Sequence, residues 1–310
     1  MKVYERCYYI GIDGGATKTM VCLGNKSGDI IEVIKLGATN YHTVGIKETK
    51  STLKEALDII TKDHKISLCE IKGICFGGAG IDSQDGVDII TNIFRELGYM
   101  NELKVYNDAL IALVGANDGY NGGVVIGGTG SVALGVDEEG QLHKVGGWGH
   151  LLDDKGSGYA IGRDALSRVM EYHDGRGRDT LLWEKIKTHL EIDIPEEITD
   201  FVYCPTTKKH DIASIAPIVI NLYEEDYVAT GIIEEAISHL ETLVSALAQN
   251  IKKDSFSLGI YGSIIVKNDK IKEKLIERIH DKYPGINVHH PYKKAYLGAL
   301  EIATGKVKID

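Results

Sequence analysis

The stretch GIDGGATKTM, residues 11–20, contains one acidic residue, three glycines and two threonines, and it directly follows the apolar run YYI. A strand that runs into such a turn is typical of two structures. One is a plain hairpin turn in a β-rich domain, and the other is a loop that binds phosphate. The stretch contains neither the P-loop pattern GxxxxGK[ST] nor a GxGxxG that opens a long helix, because a second strand follows the glycines.

The residues of this turn have the chemistry that a nucleotide phosphate requires. Glycines let backbone N–H groups approach phosphate oxygens, and Thr hydroxyls and a Lys add hydrogen bonds and charge. The residues that meet this requirement are Gly14, Gly15, Thr17 and Lys18. Asp13, at the strand end, is placed to hold Mg²⁺ directly or through a water molecule.

The same pattern of strand, glycine turn, strand, tight turn and strand begins again at residue 122. Its glycine turn is GGTGS, residues 127–131, in which Thr129, Gly130 and Ser131 repeat the phosphate-binding chemistry. Two copies of one unit predict a duplicated architecture whose two turns enclose a cleft for a ligand. A third glycine turn, Gly262-Ser263, by itself indicates the start of a helix.

Apolar runs alternate with helix-period segments along the chain, which predicts an α/β fold with two domains. The first domain is predicted at residues 1–117 plus about 295–310, and the second at 118–294. Predicted strands cover 8–12, 20–24, 30–36, 71–76, 103–108 and 257–263. Predicted helices cover about 46–60, 83–97, 156–170, 179–190, 211–222, 226–252 and 295–304.

Two further segments carry candidate binding or catalytic residues. Asp108 stands between a strand and a helix, where it can act as a general base for a hydroxyl or simply cap the helix. In GGWGH, residues 146–150, Trp148 offers an apolar face for a sugar ring or an acyl group, and Asp154 further on can bind hydroxyls. His150 has no second ligand at a zinc-like spacing, which favours a structural role.

Composition excludes several classes of protein. The formal charge of −10 and the lack of a basic run disfavour nucleic acid and anionic membranes as partners. No apolar N-terminal segment and no run of 18 apolar residues are present, which favours a cytoplasmic protein. Five cysteines without a CxxC pair argue against a disulfide framework and a zinc site, and because most of them stand beside apolar residues in predicted strands, they are expected to be small core residues.

Taken in order, these motifs resemble those of the N-acetylglucosamine kinases and of the BadF/BadG-type ATPase family that contains them. The resemblance spans nearly the whole chain. The blocks that carry it are GIDGGATKT, GATN at 37–40, NDA at 107–109, GGTGS, GGWGH with DxGSGYxIG at 146–162, YGS at 261–263 and AYLGAL at 295–300.

The resemblance implies a two-lobed, actin-like (ribonuclease-H-like) α/β fold that closes over ATP, Mg²⁺ and an amino sugar. It also implies a homodimer. It implies that Asp13, Gly15, Thr17 and Lys18 form the first phosphate loop and that Thr129, Gly130 and Ser131 form the second. Gly262 and Ser263 would lie near the adenosine. The sugar contacts would be Asn40, Asp108, Gly147, Trp148 and Asp154, with Asp108 as the base toward the 6-hydroxyl.

One departure from the family pattern bears on the substrate. Family members commonly read GDEGS where this chain has Asp153-Asp154-Lys155-Gly156-Ser157. The implied activity is phosphorylation of N-acetylglucosamine or a close amino sugar. Lys155 can pair with a lactyl carboxylate, so N-acetylmuramate is an alternative substrate, as is unacetylated glucosamine.

An alternative of another class is an ATPase that activates a dehydratase through a cysteine-bound iron–sulfur cluster.

Overall fold

The computed structural model describes residues 7–309, which form two compact units. Gly123–His290 form the second unit, and the described residues on either side of it form the first. Each unit contains one mixed five-stranded sheet with flanking helices, which confirms the predicted α/β class. Each unit also has its own cluster of buried aliphatic side chains.

The sheet of the first unit has the strand order β3-β2-β1-β4-β5. Strands β1, β2 and β3 are antiparallel neighbours, whereas β1, β4 and β5 run parallel. The strands are β1 Tyr8–Gly14, β2 Thr19–Asn25, β3 Ile30–Leu36, β4 Ile71–Gly78 and β5 Glu102–Asn107. The helices are α1 Tyr41–Asp63, α2 Gln84–Glu96, α3 Asp108–Asn117 and, from the end of the chain, α12 Ala295–Ala303.

Helix α12 lies against β1 because glycine leaves room for it there. A Cβ on Gly11 would lie 2.3 Å from the backbone nitrogen of Leu300. A Cβ on Gly298 would lie 2.2 Å from the carbonyl oxygen of Ile111 in α3. The AYLGAL block therefore has a packing function, since it seats the last helix on the sheet that carries the first glycine turn.

The sheet of the second unit has the order β10-β9-β6-β7-β8. Read from its other edge, this order is β8-β7-β6-β9-β10, which matches β3-β2-β1-β4-β5 of the first sheet strand for strand. This repeat confirms the duplicated architecture that the two glycine turns predicted. Its strands are β6 Gly123–Gly127, β7 Ser131–Val136, β8 Leu142–Gly146, β9 Ser255–Tyr261 and β10 Gly285–His289. Its helices are α4 Gly158–His173, α5 Leu182–Leu190, α6 Glu197–Tyr203, α7 Lys209–Ala213, α8 Ala216–Asn221, α9 Tyr227–Ile251, α10 Ser263–Val266 and α11 Asp269–Lys282.

The single helix predicted for residues 211–222 is wrong, because the segment forms two short helices, α7 and α8. Pro217 lies in the first turn of α8. Its ring cannot donate a backbone hydrogen bond and would clash with the carbonyl group of Ala213 in a continuous helix. The strand β10 was not predicted, since its five residues provide only Ile286 as a fully buried apolar side chain.

The cysteines follow the prediction only in part. Cys22 and Cys75 are buried in β2 and β4, as expected for small core residues. Cys69 and Cys204 are exposed, so a core position was wrong for these two. Among the helices within residues 7–309, none has the length and apolar character that spanning a bilayer requires.

Candidate active site

The first glycine turn connects β1 to β2. Gly14 pairs with Thr19 across the hairpin, and the N–H of Gly15 donates to the carbonyl group of Lys18 at 3.0 Å. Thr17 and Lys18 are exposed at the tip of the turn. The stretch that opened the sequence is therefore a hairpin turn, and its tip offers a hydroxyl and an ammonium group to solvent.

Three parallel strands of the first unit end at one edge of its sheet. Gly14 of β1 pairs with Gly78 of β4, and Gly78 pairs with Asn107 of β5. This register brings Asp13 and Asp108 to the same edge, which is where ligands bind in α/β sheets. The two carboxylates are close enough for the charge of Asp13 to act on the titration of Asp108.

Asp108 is the first residue of α3, but it is not the helix cap. The Asn107 side chain accepts the N–H of Ala109 at 2.9 Å and so takes that role. Burial, and next the charge of Asp13, raise the pKa of the Asp108 carboxyl from 3.8 to about 6. Burial likewise raises the pKa of Asp13 to about 6, against the opposing charge of Lys18.

These raised pKa values predict a stabilising substitution. A carboxyl with a pKa of about 6 in the native state and 3.8 when unfolded costs native-state stability once it is ionised. The cost grows as pH rises from about 4 to 6 and is constant above that range. We expect Asp108→Asn to raise the free energy of unfolding at pH 7.5 by about 1–2 kcal/mol, allowing for partial solvent exposure, and to leave it unchanged near pH 4.

Urea unfolding of the ligand-free protein at pH 7.5 and pH 4 measures this difference. The control is Asp63→Asn, which removes an exposed carboxylate at the end of α1. A lower free energy of unfolding for Asp108→Asn at pH 7.5, or an increase of equal size at both pH values, would contradict the prediction. Either result would show that ionisation of Asp108 does not cost native-state stability.

The GATN segment lies against the first glycine turn. The backbone N–H groups of Thr39 and Asn40 both donate to the carbonyl group of Gly15, at 3.1 and 3.3 Å. The side chain of Asn40 caps α1 by accepting the N–H of His42 at 3.0 Å. These hydrogen bonds, all within the first unit, hold Asn40 beside the first glycine turn.

Sequence reasoning missed the loop GGAGID, residues 77–82, which follows β4 at the same edge. A Cβ on Gly80 would lie 3.4 Å from the side-chain oxygen of Asn40. Asp82 accepts a hydrogen bond from the side-chain amide of Asn107 at 3.1 Å. The signal that was available is a cluster of glycines directly after a buried strand.

The second glycine turn connects β6 to β7. The N–H of Gly128 donates to the carbonyl group of Gly130 at 2.9 Å, which closes the turn. Within residues 7–309, the backbone N–H groups of Thr129 and Gly130 have no acceptor. The turn thus presents two successive backbone donors, an arrangement suited to an anion.

Ser131 is used differently from the rest of this turn. It is buried, its N–H donates to a carboxylate oxygen of Asp154 at 3.1 Å, and its hydroxyl donates to the carbonyl group of Lys155 at 2.7 Å. Both polar groups of Ser131 therefore fix the shape of the turn, and its contact with phosphate stays a prediction.

The third glycine turn packs on the second one. A Cβ on Gly262 would lie 2.2 Å from the carbonyl oxygen of Gly127 and 2.7 Å from the nitrogen of Gly128. Gly262 also has a φ of +90° and precedes α10, so it is the capping residue that the sequence indicated. Ser263 beside it is exposed.

The GGWGH segment forms a loop after β8. Its three glycines, Gly146, Gly147 and Gly149, have φ values of +73°, +71° and +87°, which other residues rarely adopt. Trp148 is 69% exposed, and the Lys144 ammonium lies 5.5 Å from the centre of its ring. The loop therefore holds an aromatic face in solvent, as a sugar-binding platform requires.

Two acidic residues after this loop have separate contacts. Asp153 accepts a hydrogen bond from the backbone N–H of Trp148 at 3.4 Å, so this departure from the family pattern helps to hold the loop. Asp154 is only 3% exposed and lies 2.6 Å from the ammonium group of Lys209. Direct contact of Asp154 with a sugar stays a prediction.

His150 packs edge-on against Tyr159, with ring centres 4.7 Å apart.

A comparison with known families decides the relationship of the chain, since one family model matches residues 10–303. The chain belongs to the BadF/BadG/BcrA/BcrD ATPase family. An N-acetylmuramic acid/N-acetylglucosamine kinase of Clostridium acetobutylicum is 31% identical over 299 residues, covering 96% of this chain and 98% of the relative. An N-acetyl-D-glucosamine kinase of Dictyostelium discoideum is 28% identical, covering 97% of this family member and 98% of the relative.

Solved structures of kinases share the fold. A protein of Chromobacterium violaceum that has been proposed to be an N-acetylglucosamine kinase superposes with a TM-score of 0.79 at 20% identity, covering 96% of this chain and 99% of the other. A ROK-family glucokinase of Streptomyces griseus superposes with a TM-score of 0.59 at 14% identity, with coverage of 96% and 99%. Together with the two mixed sheets, these matches confirm the predicted actin-like ATPase fold.

Proposed function

We propose that this BadF/BadG-type protein transfers the terminal phosphoryl group of ATP to the 6-hydroxyl of N-acetylglucosamine or of a close amino sugar. Relatives that match along nearly the whole chain are kinases of such sugars. The observation that carries the proposal is the placement of Asp108, which lies at the edge where β1, β4 and β5 end and has a pKa raised to about 6.

Asp108 acts as the general base. A carboxyl with a pKa of about 6 is ionised at neutral pH and is a stronger base than an ordinary aspartate. It accepts the proton of the 6-hydroxyl as the oxygen attacks phosphorus. Transfer of a phosphoryl group depends mostly on positioning and on stabilisation of charge. Asp108 therefore both orients the hydroxyl and removes its proton.

The glycine turns bind the nucleotide in this proposal. The first turn uses Gly14, Gly15, Thr17 and Lys18, and the second uses Thr129, Gly130 and Ser131, with Gly262 and Ser263 beside the adenosine. The donor set suits Mg²⁺ at Asp13, because its carboxylate accepts no hydrogen bond from the described residues. When bound there, directly or through water, Mg²⁺ would offset negative charge on the phosphates.

In this proposal the sugar is bound by polar side chains and by an aromatic ring. Asn40 and Asp108 offer hydrogen bonds to hydroxyl groups, and Trp148 offers its exposed ring to the apolar face of the sugar. Gly147, whose missing side chain makes room for Val132 and Lys144, offers its backbone next to that ring, and Asp154 supplies a carboxylate near the loop. A homodimer, as in the family, is also proposed, and light scattering on the purified protein tests it.

A coupled ADP-release assay over a panel of hexoses and amino sugars tests the proposed activity. We expect turnover that requires both a divalent cation and an amino sugar, with glucose and mannose much poorer than N-acetylglucosamine. ADP release that does not depend on any sugar would contradict the proposal and favour the alternative of another class, the dehydratase-activating ATPase, which the named relatives support less.

N-acetylmuramate is a second candidate substrate, favoured by the 31% identical relative named as a kinase of both sugars. Lys155 is exposed and lines a pocket of about 290 Å³ together with Arg163, Glu235 and His239. If the lactyl carboxylate binds there, we expect Lys155→Met to raise KM for N-acetylmuramate about tenfold and to leave KM for N-acetylglucosamine unchanged. Steady-state rates on both sugars measure this. Equal changes for the two sugars would exclude a carboxylate contact with Lys155.

A further inference from the structure

An ammonium group lies directly beside the second glycine turn. Lys209, at the start of α7, has its Nζ 2.6 Å from a carboxylate oxygen of Asp154. The other carboxylate oxygen of Asp154 accepts the N–H of Ser131, the last residue of the turn. Asp154 thus joins the lysine to the turn, although Lys209 is distant from both along the chain.

Gly130 leaves the space that this arrangement needs. A Cβ on Gly130 would lie 2.8 Å from the Asp154 oxygen and 2.8 Å from the Lys209 nitrogen. Gly130 does not have a left-handed backbone conformation, so its φ does not require glycine. The absence of a side chain there serves instead to let an ion pair reach the surface of the turn.

The two partners of the ion pair differ in their exposure to solvent. The side chain of Asp154 is 4% exposed, whereas that of Lys209 is 30% exposed. A lysine ammonium has three N–H donors, and among the described residues Lys209 uses one of them, toward Asp154. Two donors and part of the positive charge are therefore available at the turn whose Thr129 and Gly130 N–H groups have no acceptor.

We propose that Lys209 binds a phosphate oxygen of the nucleotide at the second glycine turn and that Asp154 positions it there. This inference rests on the proposed use of the turn for ATP. The buried carboxylate holds the ammonium group in place, so the phosphate meets a preset donor next to two backbone N–H groups. Charge-assisted hydrogen bonds of this type are the strong ones in proteins.

Titration of Mg-ADP into purified variants tests the assignment. We expect Lys209→Met to weaken ADP binding roughly 10- to 100-fold and Lys209→Arg to remain within a few-fold of the wild type. The control Lys208→Met makes the same charge change at the exposed neighbouring position, and we expect it to leave ADP binding unchanged. Wild-type affinity in Lys209→Met would overturn the proposal.

A structural role of the ion pair is distinguished by the double variant Lys209→Met/Asp154→Asn. It removes the buried charge together with its partner, so we expect thermal stability to recover relative to Lys209→Met while ADP binding stays weak. Recovery of ADP affinity along with stability would overturn the proposal. Failure of the proposed activity has a different signature, namely wild-type protein that binds ADP through Lys209 and phosphorylates no amino sugar.

Discussion

Asp108→Asn is expected to reduce kcat for amino-sugar phosphorylation by about 10²- to 10⁴-fold, the usual contribution of a positioned general base. Asparagine has the size of aspartate and still hydrogen-bonds a hydroxyl, but it cannot accept the proton. The affinity for the sugar should therefore remain within a few-fold of the wild-type value. Initial rates at saturating ATP, together with sugar titrations, separate these two effects.

The same variant is expected to be more stable than the wild type at pH 7.5, so a loss of activity cannot be attributed to unfolding. Asp63→Asn again serves as the control and should keep the wild-type kcat. A wild-type rate in Asp108→Asn would remove Asp108 from the mechanism. A rate that falls only because sugar affinity falls would assign it to binding.

Gly262→Ala is expected to reduce the free energy of unfolding of the second unit by about 3 kcal/mol or more and to abolish measurable ATP binding. The added Cβ would lie 2.2 Å from the carbonyl oxygen of Gly127 and 2.7 Å from the nitrogen of Gly128, both of which are backbone atoms. Neither can move without displacing the second glycine turn. The cost is therefore a backbone shift added to the strain of a positive φ.

Gly45→Ala separates these two costs. Gly45 has a φ of +82° and a ψ of 159°, close to the +90° and 150° of Gly262, but a Cβ there has no atom within 4 Å. We expect this control to lose only about 1–2 kcal/mol and to keep ATP binding. Urea unfolding and nucleotide titration measure both variants. Equal losses in the two would show that the φ angle, and not contact with the turn, limits position 262.

Local residue patterns were sufficient to predict the elements that carry the site. The first and second glycine turns each lie between two apolar runs that form a hairpin, and the repeated turn predicted the repeated sheet. Asp108 could be placed because a residue that follows a parallel strand lies at the ligand-binding edge. What remained open was whether Asp108 caps α3 or faces a ligand, and the folded chain gives the cap to Asn107.

Contacts between distant segments could not be predicted in this way. Lys209 stands in a stretch of mixed charges that has the appearance of a solvated surface, and only the folded chain brings it to Asp154. Sequence patterns report which face of an element is buried, but they do not report which charged side chains meet. Pro217 divides the helix predicted for residues 211–222, although the apolar spacing continues through it.

The position of the phosphate on the product tests the central claim most directly. N-acetylglucosamine is incubated with the wild-type protein, ATP and Mg²⁺, and the purified product is examined by phosphorus–proton correlation NMR. The account predicts that phosphorus correlates with the two protons on carbon 6, and that the 6-deoxy sugar gives no phosphorylated product. A phosphate on another carbon, or inorganic phosphate as the product of ATP, would contradict it.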